Sequence, residues 1–308
     1  MTYLGELISL GTAFCWTITV VSFEYAGKRV GSLPVNFIRL VFGFVLLAIT
    51  LYLIDGTFIP LYATNTEWLL LTISSLIGLV IGDFFLFQAF VDIGGRISLL
   101  IMSSVPILSI IFGYIFFNEV LSIQQFIGIT IVIISIVVVI LSRKDEGNKI
   151  QPHIARGIIF AFVGAIAQAI GLLFSKAGGA NMNDFAATEI RVIAAIIGFG
   201  LIVSFKKEWK NVRKAFNYKT ALLFIILGSI FGPFLGITSS LAAIKYTSLG
   251  ISTTIAQMNI ILIIPFSIFL FKEKVTLLEI IGSISAFIGV AILFINFESV
   301  LSSLSNIF

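Results

Sequence analysis

Apolar residues run along this chain in blocks of about 20, the length of a helix that crosses the hydrocarbon core of a bilayer. Short polar segments divide the blocks. They predict helices near residues 4–26, 34–54, 68–92, 95–117, 120–141, 155–177, 184–204, 219–243, 247–271 and 276–296. The third and fourth are separated only by Asp92, Ile93, Gly94, Gly95 and Arg96, where a charged glycine turn is expected. Unbroken runs such as Val120 to Leu141 lack the period-two alternation of a lipid-facing barrel strand. The expected fold class is therefore all-α integral membrane, with ten transmembrane helices. The charge-free run from Leu7 to Phe23 has spanning length and is taken as a true span rather than a signal peptide.

The blocks also repeat. Phe117-Asn118-Glu119-Val120-Leu121-Ser122, followed by Gln125 and Gly128, matches Phe271-Lys272-Glu273-Lys274-Val275-Thr276, followed by Glu279 and Gly282, at an offset of 154. The same offset superposes Gly78 and Gly82 on Gly232 and Gly236, Ala89 on Ala243, and Ser98 on Ser252. Nearer the start of each half the offset is 152, pairing Gly5 with Gly157 and Ile38-Arg39 with Ile190-Arg191. The expected organisation is a first five-helix repeat over 1–142, a cytoplasmic linker over 143–154, a second repeat over 155–296 and a tail over 297–308. Five spans is an odd number, so the second repeat enters the membrane from the opposite side. Such inverted repeats are the pattern of alternating-access carriers.

Composition sharpens this picture. The chain is 59% hydrophobic and 11% charged, with a mean hydropathy of +1.14, too apolar for a water-facing surface. The net charge of +4 resides in loops beside apolar spans, which argues for membrane orientation and against nucleic-acid binding. Cys15 is the single cysteine and His153 the single histidine, so neither a disulfide framework, a histidine-based metal site nor a Ser-His or Cys-His catalytic pair is expected. Neither enzymatic activity nor a cofactor is expected. One side of the predicted topology collects Lys28, Arg29, Arg96, Arg143, Lys144, Lys149, Arg156, Lys206, Lys207, Lys210, Arg213, Lys214, Lys219, Lys272 and Lys274. The other side has Lys176 and Lys245, with Arg191 close by. Basic loops favour the cytoplasm, which places both termini outside a prokaryotic plasma membrane.

The five-plus-five pattern, the F-x-E-x-[VL]-[ST] motif at Glu119 and Glu273, and the glycine later in the fifth and tenth spans resemble the EamA-type drug/metabolite transporter superfamily. The resemblance covers nearly the whole chain. It implies export of amino acids or other metabolites, or exchange of nucleotide sugars or phosphorylated sugars. In that family a basic residue often follows the motif glutamate, as Lys274 does here and Val120 does not. Many relatives place their termini in the cytoplasm, against the charge count above.

Candidate residues follow from the cost of burying charge and polarity in lipid. Asp83 lies inside the third span, and its counterpart in the other half is Ile237. That asymmetry points to solute or proton binding, while a structural ion pair with Arg39 is the plainer reading. Glu24 and Lys176 occupy equivalent positions near the ends of the first and sixth spans. Arg39 is a candidate partner for Glu24 and Glu189 for Lys176, as gate-rim pairs beside Arg191, unless Glu24 and Lys176 simply reach to the interface. Glu119 and Glu273 are expected to organise helix ends. Uncharged cavity candidates are Trp16, Thr17, Thr19, Gln88, Ser103, Ser104, Gln168, Ser239, Ser240, Gln257 and Asn259. Gln168 is the repeat partner of Trp16 and Gln257 that of Ser103, consistent with one cavity near the pseudo-two-fold axis. For serine and threonine, bonding to their own helix backbone is the simpler role. The Gly78-x-x-x-Gly82 and Gly232-x-x-x-Gly236 faces are expected to pack helices closely, and Pro106, Pro233 and Pro265 to permit kinks. Trp209 among basic residues reads as an interfacial anchor.

No G-x-x-x-x-G-K-[ST] motif is present. The function expected from the sequence is a secondary carrier, an exporter of a small metabolite, driven by a gradient with the proton as candidate coupling ion. Its partners would be the solute and membrane lipids, and its state a monomer or homodimer. Alternatives are a lipid or lipid-linked or nucleotide-sugar carrier and, in another class, a non-transporting scaffold or sensor.

Overall fold

In lipid an apolar chain has no partner for its backbone N–H and C=O groups except itself, so long apolar blocks close into helices. The computed structural model describes residues 3–142, 154–262 and 276–294. Regular structure among the described residues is entirely helical. The first half holds α1 (Leu4–Val30), α2 (Ser32–Asp55), α3 (Asn65–Ser74), a π-helical segment Ser75–Ile81, α4 (Gly82–Met102), α5 (Val105–Phe117) and α6 (Ile123–Ser142). The second half holds α7 (Ile154–Gly179), α8 (Asp184–Phe205), α9 (Trp209–Ala215), α10 (Lys219–Ser229), a π-helical segment Ile230–Gly236, α11 (Ile237–Tyr246), α12 (Leu249–Ala256) and α13 (Leu277–Phe294).

Among the described residues six helical stretches are long and apolar enough to cross a membrane: Leu4–Gly27, Ser32–Asp55, Asn65–Leu86, Ala155–Gly179, Asp184–Phe205 and Lys219–Tyr246. Shorter apolar helices cover Val105–Phe117, Ile123–Val138, Leu249–Leu262 and Ile280–Leu293. The long and short classes fall at matching places in the two halves. Side-chain oxygens fix several helix starts: Thr64 and Glu67 form a reciprocal capping box at α3, Asn183 caps α8, and Ser248 caps α12.

Two features depart from the sequence reading. The glycine turn expected at residues 92–96 is absent, and α4 continues through Gly94 and Gly95 to Met102. Two helical glycines cost only about 1 kcal/mol each, and Asp92 is held by Gln88 one turn earlier and by Arg156. The break falls instead at Ser103–Ser104, just before Pro106 near the start of α5. Proline lacks an N–H and its ring disfavours helix in the residue before it. In the second half the chain breaks twice, at Thr247–Ser248 and again at Gln257–Met258. That second break lies 154 residues after Ser103–Ser104, the repeat offset.

The π-helical segments also match. The Gly82 N–H bonds the Ile77 carbonyl, and the Ile237 N–H bonds the Gly232 carbonyl, each reaching back five residues. Pro233 thus lies in a π-helical stretch and packs its ring against Gly43 of α2. Pro265 lies outside the described residues.

Packing respects the repeat. The principal partners are α3 and α4 with α7, α1 with α10 and α11, α2 with α8, α5 with α12, and α6 with α13. Exchanging each element for its counterpart in the other half turns α4–α7 into α11–α1 and α3–α7 into α10–α1, and returns α2–α8 and α6–α13 to themselves. With lipid outside there is little hydrophobic drive between helices, so close approach of small residues must supply the contact energy. Gly78 lies against Gly171, and its counterpart Gly232 lies against Thr19, the counterpart of Gly171. Large apolar side chains on the outer faces, among them Leu53, Ile123, Phe126 and Phe205, are exposed, as a lipid-facing surface requires.

Candidate functional site

Charge is concentrated where α2 and α8 cross. Arg39 lies seven residues after Ser32 in α2, and Arg191 seven residues after Asp184 in α8. Each is therefore about 10 Å into its helix. The Arg39 guanidinium donates to the Asp83 carboxylate at 2.5 Å, and both side chains are largely sequestered. It also lies 5.2 Å from the Phe23 ring centre, a cation–π contact that helps hold a charge away from water. Asp83 comes from the first turn of α4, directly after the π-helical segment. Arg191 is buried and borders Gly78 of that same segment, while its own carbonyl accepts from the Ser75 hydroxyl at 2.5 Å. Asn36, one turn before Arg39, keeps its Oδ1 buried and without a hydrogen-bond partner.

The expected gate-rim pairs are rearranged. Lys176 does not pair with Glu189; it pairs with Glu119 and also reaches the Thr247 carbonyl at 3.2 Å. The cause is the left-handed turn at Asn118 (φ 53°), which ends α5 and aims the following carboxylate at the end of α7. Glu119 uses its second oxygen on the Leu249 N–H, 2.8 Å away at the start of α12, a favoured place for negative charge. This motif glutamate therefore ties together the ends of α5, α7 and α12. Replacing Glu119 with glutamine is expected to destabilise the protein by about 1–1.5 kcal/mol, measured by denaturation in mixed micelles. Glu189 is fully buried and both carboxylate oxygens lack a hydrogen-bond partner. Arg39 is engaged by Asp83; the side chain of Glu24 lies outside the described residues, as does Glu273.

The uncharged candidates separate into two groups. Gln257, at the second break, donates from Nε2 to the Met102 carbonyl at 3.0 Å, directly beside the break at Ser103–Ser104. The two discontinuities thus meet. Ser103 is buried, Ser104 Oγ and Asn259 Oδ1 are buried without a partner, and Thr17 Oγ1 lies 3.5 Å from the Asn259 carbonyl. The Trp16 ring lies against Gly236 at the end of the second π-helical segment, and the Gln168 backbone lies against Gly82 directly after the first. The second group is spoken for: Thr19 bonds its own Cys15 carbonyl, Ser239 accepts from Thr12, and Gln88 donates to Asp92. Ser240 is half-buried.

The sequence profile of the EamA-like transporter family matches residues 3–141 and again residues 155–295. The chain belongs to the EamA-like transporter family. A second comparison agrees on the fold: a solved crystal structure, titled only as that of a protein, superposes with a TM-score of 0.74 over 95% of this chain and 96% of its own, at 16% identity. No curated protein matches in sequence. This EamA-like chain is thus an all-helical, multi-pass membrane transporter built from two family repeats.

Several bonds at the rims of this EamA-like protein escaped the sequence reading. Arg156 clasps Asp92 through two bonds of 2.7 Å, and Lys245 pairs with Asp184 at 2.5 Å while also donating to the Met182 carbonyl. Composition marked Arg156 and Lys245 only as loop cations. Their partners sit dozens of residues away, and only the packing of α4 on α7 and of α8 on α11 brings them together.

Proposed function

We propose that the protein is a secondary transporter with ten transmembrane helices in two inverted five-helix repeats, exporting a small metabolite such as an amino acid by alternating access. The observation that carries this reading is the meeting of the two broken helices, where Gln257 of one half bonds Met102 of the other. Discontinuous helices at corresponding places in two repeats are where carriers bind solute, and π-helical segments beside them belong to the same pattern of functional irregularity. The site would draw on Trp16, Ser103, Ser104, Gln168, Gln257 and Asn259, with Asp83 and Arg39 at its charged edge.

Counterflow tests it. Purified protein in liposomes preloaded with an unlabelled amino acid is expected to accumulate the labelled form transiently, at a rate well above that of protein-free vesicles. Failure across the amino acids and common small metabolites would sink the carrier reading and favour a scaffold or sensor. Proton coupling would show as dependence on an imposed pH gradient that Asp83→Asn removes. Basic groups at Lys210, Arg213 and Lys214 line a hollow of about 640 Å³, and Trp209 beside them donates to Ser204 and meets Phe37 edge-on. This supports an interfacial anchor with the basic face in the cytoplasm of a prokaryotic cell. A reporter fused to Phe308 and scored as cytoplasmic would overturn that orientation.

A second reading has one observation in its favour. A groove of about 440 Å³ between α3, α5 and α7 is lined only by apolar residues, including Leu70, Phe112, Phe116 and Phe174. It suits an acyl chain, so lipid movement by the same proteoliposomes is the appropriate competing assay.

A further inference from the structure

Repeat symmetry leaves one buried cation without the partner that its twin possesses. Arg39 and Arg191 are equivalent residues on α2 and α8. Arg39 is matched by Asp83 from its own half. The residue equivalent to Asp83 in the second half is Ile237, which is buried in the same apolar cluster as Ile190 and Val192. Arg191 is only 4% exposed, donates no hydrogen bond among the described residues, and keeps its Nε buried and unpartnered. The Nε of Arg39 is likewise buried and unpartnered.

The surroundings do not restore the balance. Asp83 lies within electrostatic reach of both guanidinium groups and is hydrogen-bonded to Arg39. Glu189 stands two residues before Arg191, a spacing that turns side chains to different faces of a helix, and its oxygens meet no donor. From the π-helical segment Arg191 meets Ser75 and Gly78, neither of which carries a charge. Among the described side chains, two guanidinium groups thus face one carboxylate. An uncompensated buried charge is expensive, and a native structure that retains one needs a reason.

We infer that Arg191 is the receptor for an anionic group, a carboxylate or phosphate, on the transported solute, occupying the place that repeat symmetry would have given to an acidic residue at position 237. The assignment rests on the carrier reading for its biological sense and on Arg191 for its chemistry. A planar guanidinium presents paired donors that suit either oxyanion.

The experiment uses the full chain in nanodiscs of zwitterionic lipid and reads thermal stabilisation by soluble probes in matched pairs. The pairs are L-leucine against L-leucinamide, succinate against succinamide, and glucose 6-phosphate against glucose. At least one acid is expected to stabilise the wild type while its uncharged-head counterpart does not. Arg191→Gln should weaken that response at least tenfold. Ile237→Asp, which supplies the missing carboxylate, should do the same while unfolding at or above the wild-type temperature without ligand. Ile237→Asn should stay within about threefold of the wild type, since a neutral group does not compete for the cation. If Ile237→Asp fails to fold, Arg191→Lys takes its place, with an expected intermediate response. The inference is overturned if no acid or anionic lipid stabilises the wild type, if both members of each pair act equally, or if Arg191→Gln responds as the wild type does. Stabilisation by added phosphatidylglycerol alone, lost in Arg191→Gln, would assign the anion to a lipid headgroup. Flux in proteoliposomes separates the two claims: Arg191-dependent binding without flux sinks the carrier and keeps the site, whereas flux indifferent to Arg191→Gln keeps the carrier and sinks the site.

Discussion

Replacing Asp83 with leucine is expected to destabilise the folded protein by about 3–5 kcal/mol, read from reversible denaturation in mixed micelles. The side chains of Arg39 and Asp83 are only 8% and 17% exposed, so removing the carboxylate strands a guanidinium with little water to turn to. The loss compounds, because Asp83 is the carboxylate that both Arg39 and Arg191 face. The companion change should behave very differently. Arg39→Met combined with Asp83→Leu removes both charges and leaves apolar volume in their place, and such replacements are often neutral or stabilising. Most of the loss seen in the single variant should therefore return. A double variant as unstable as Asp83→Leu alone would show that the stranded guanidinium is not the source of the loss.

Gly171→Leu is expected to be the most damaging steric change, with a loss at or above the 1–3 kcal/mol typical of overpacking. Even a methyl group at Gly171 would stand 2.6 Å from the Gly78 Cα, 3.0 Å from the Gly78 nitrogen and 3.0 Å from the Ser74 carbonyl oxygen. Those neighbours are backbone, so no rotamer change relieves the clash and α7 must move off the π-helical segment. The shift would also break the hydrogen bond from Ser74 Oγ to the Gly171 carbonyl and the Ser74–Ser175 contact, each 2.6 Å long. Gly11→Ala offers the contrast, since nothing lies within 4 Å of a Cβ there. It should be neutral or stabilising by up to about 1 kcal/mol through helix propensity. Equal losses at the two positions would contradict the close-packed interface described above.

What the sequence made legible was whatever depends on spacing and solvent preference. Apolar block length located the helices, and matching motifs at Glu119 and Glu273 revealed the repeat before any coordinates. The Arg39–Asp83 pair was within reach because an intramembrane charge must find an opposite charge at a similar depth. Other features depend on terms that a one-dimensional reading cannot weigh. The turn expected at Gly94 and Gly95 gave way to a continuous helix because Gln88 and Arg156 hold Asp92 and because the stronger breaker, Pro106, lies further on. Lys176 found Glu119 rather than Glu189 because a left-handed Asn118 redirects the chain. The π-helical segments showed in the sequence only as the paired glycines at Gly78/Gly82 and Gly232/Gly236 and as Pro233, none of which gives the hydrogen-bond phase. A shift in hydrogen-bond phase changes where side chains point without changing which residues are apolar.

Under the proposed mechanism the bond from Gln257 to the Met102 carbonyl would carry a kinetic consequence. Exchange between the halves under the proposed mechanism would ask Ser103, the counterpart of Gln257, to play the reciprocal part. A short hydroxyl cannot reproduce a carboxamide at the same reach, so under that mechanism the two end states would differ in energy and the empty carrier would have a rest position. A carrier with a one-sided rest position shows different half-saturation concentrations at its two faces. Without a driving gradient, microscopic reversibility still holds kcat/KM equal in both directions, so this asymmetry would appear in KM and kcat separately and never in their ratio.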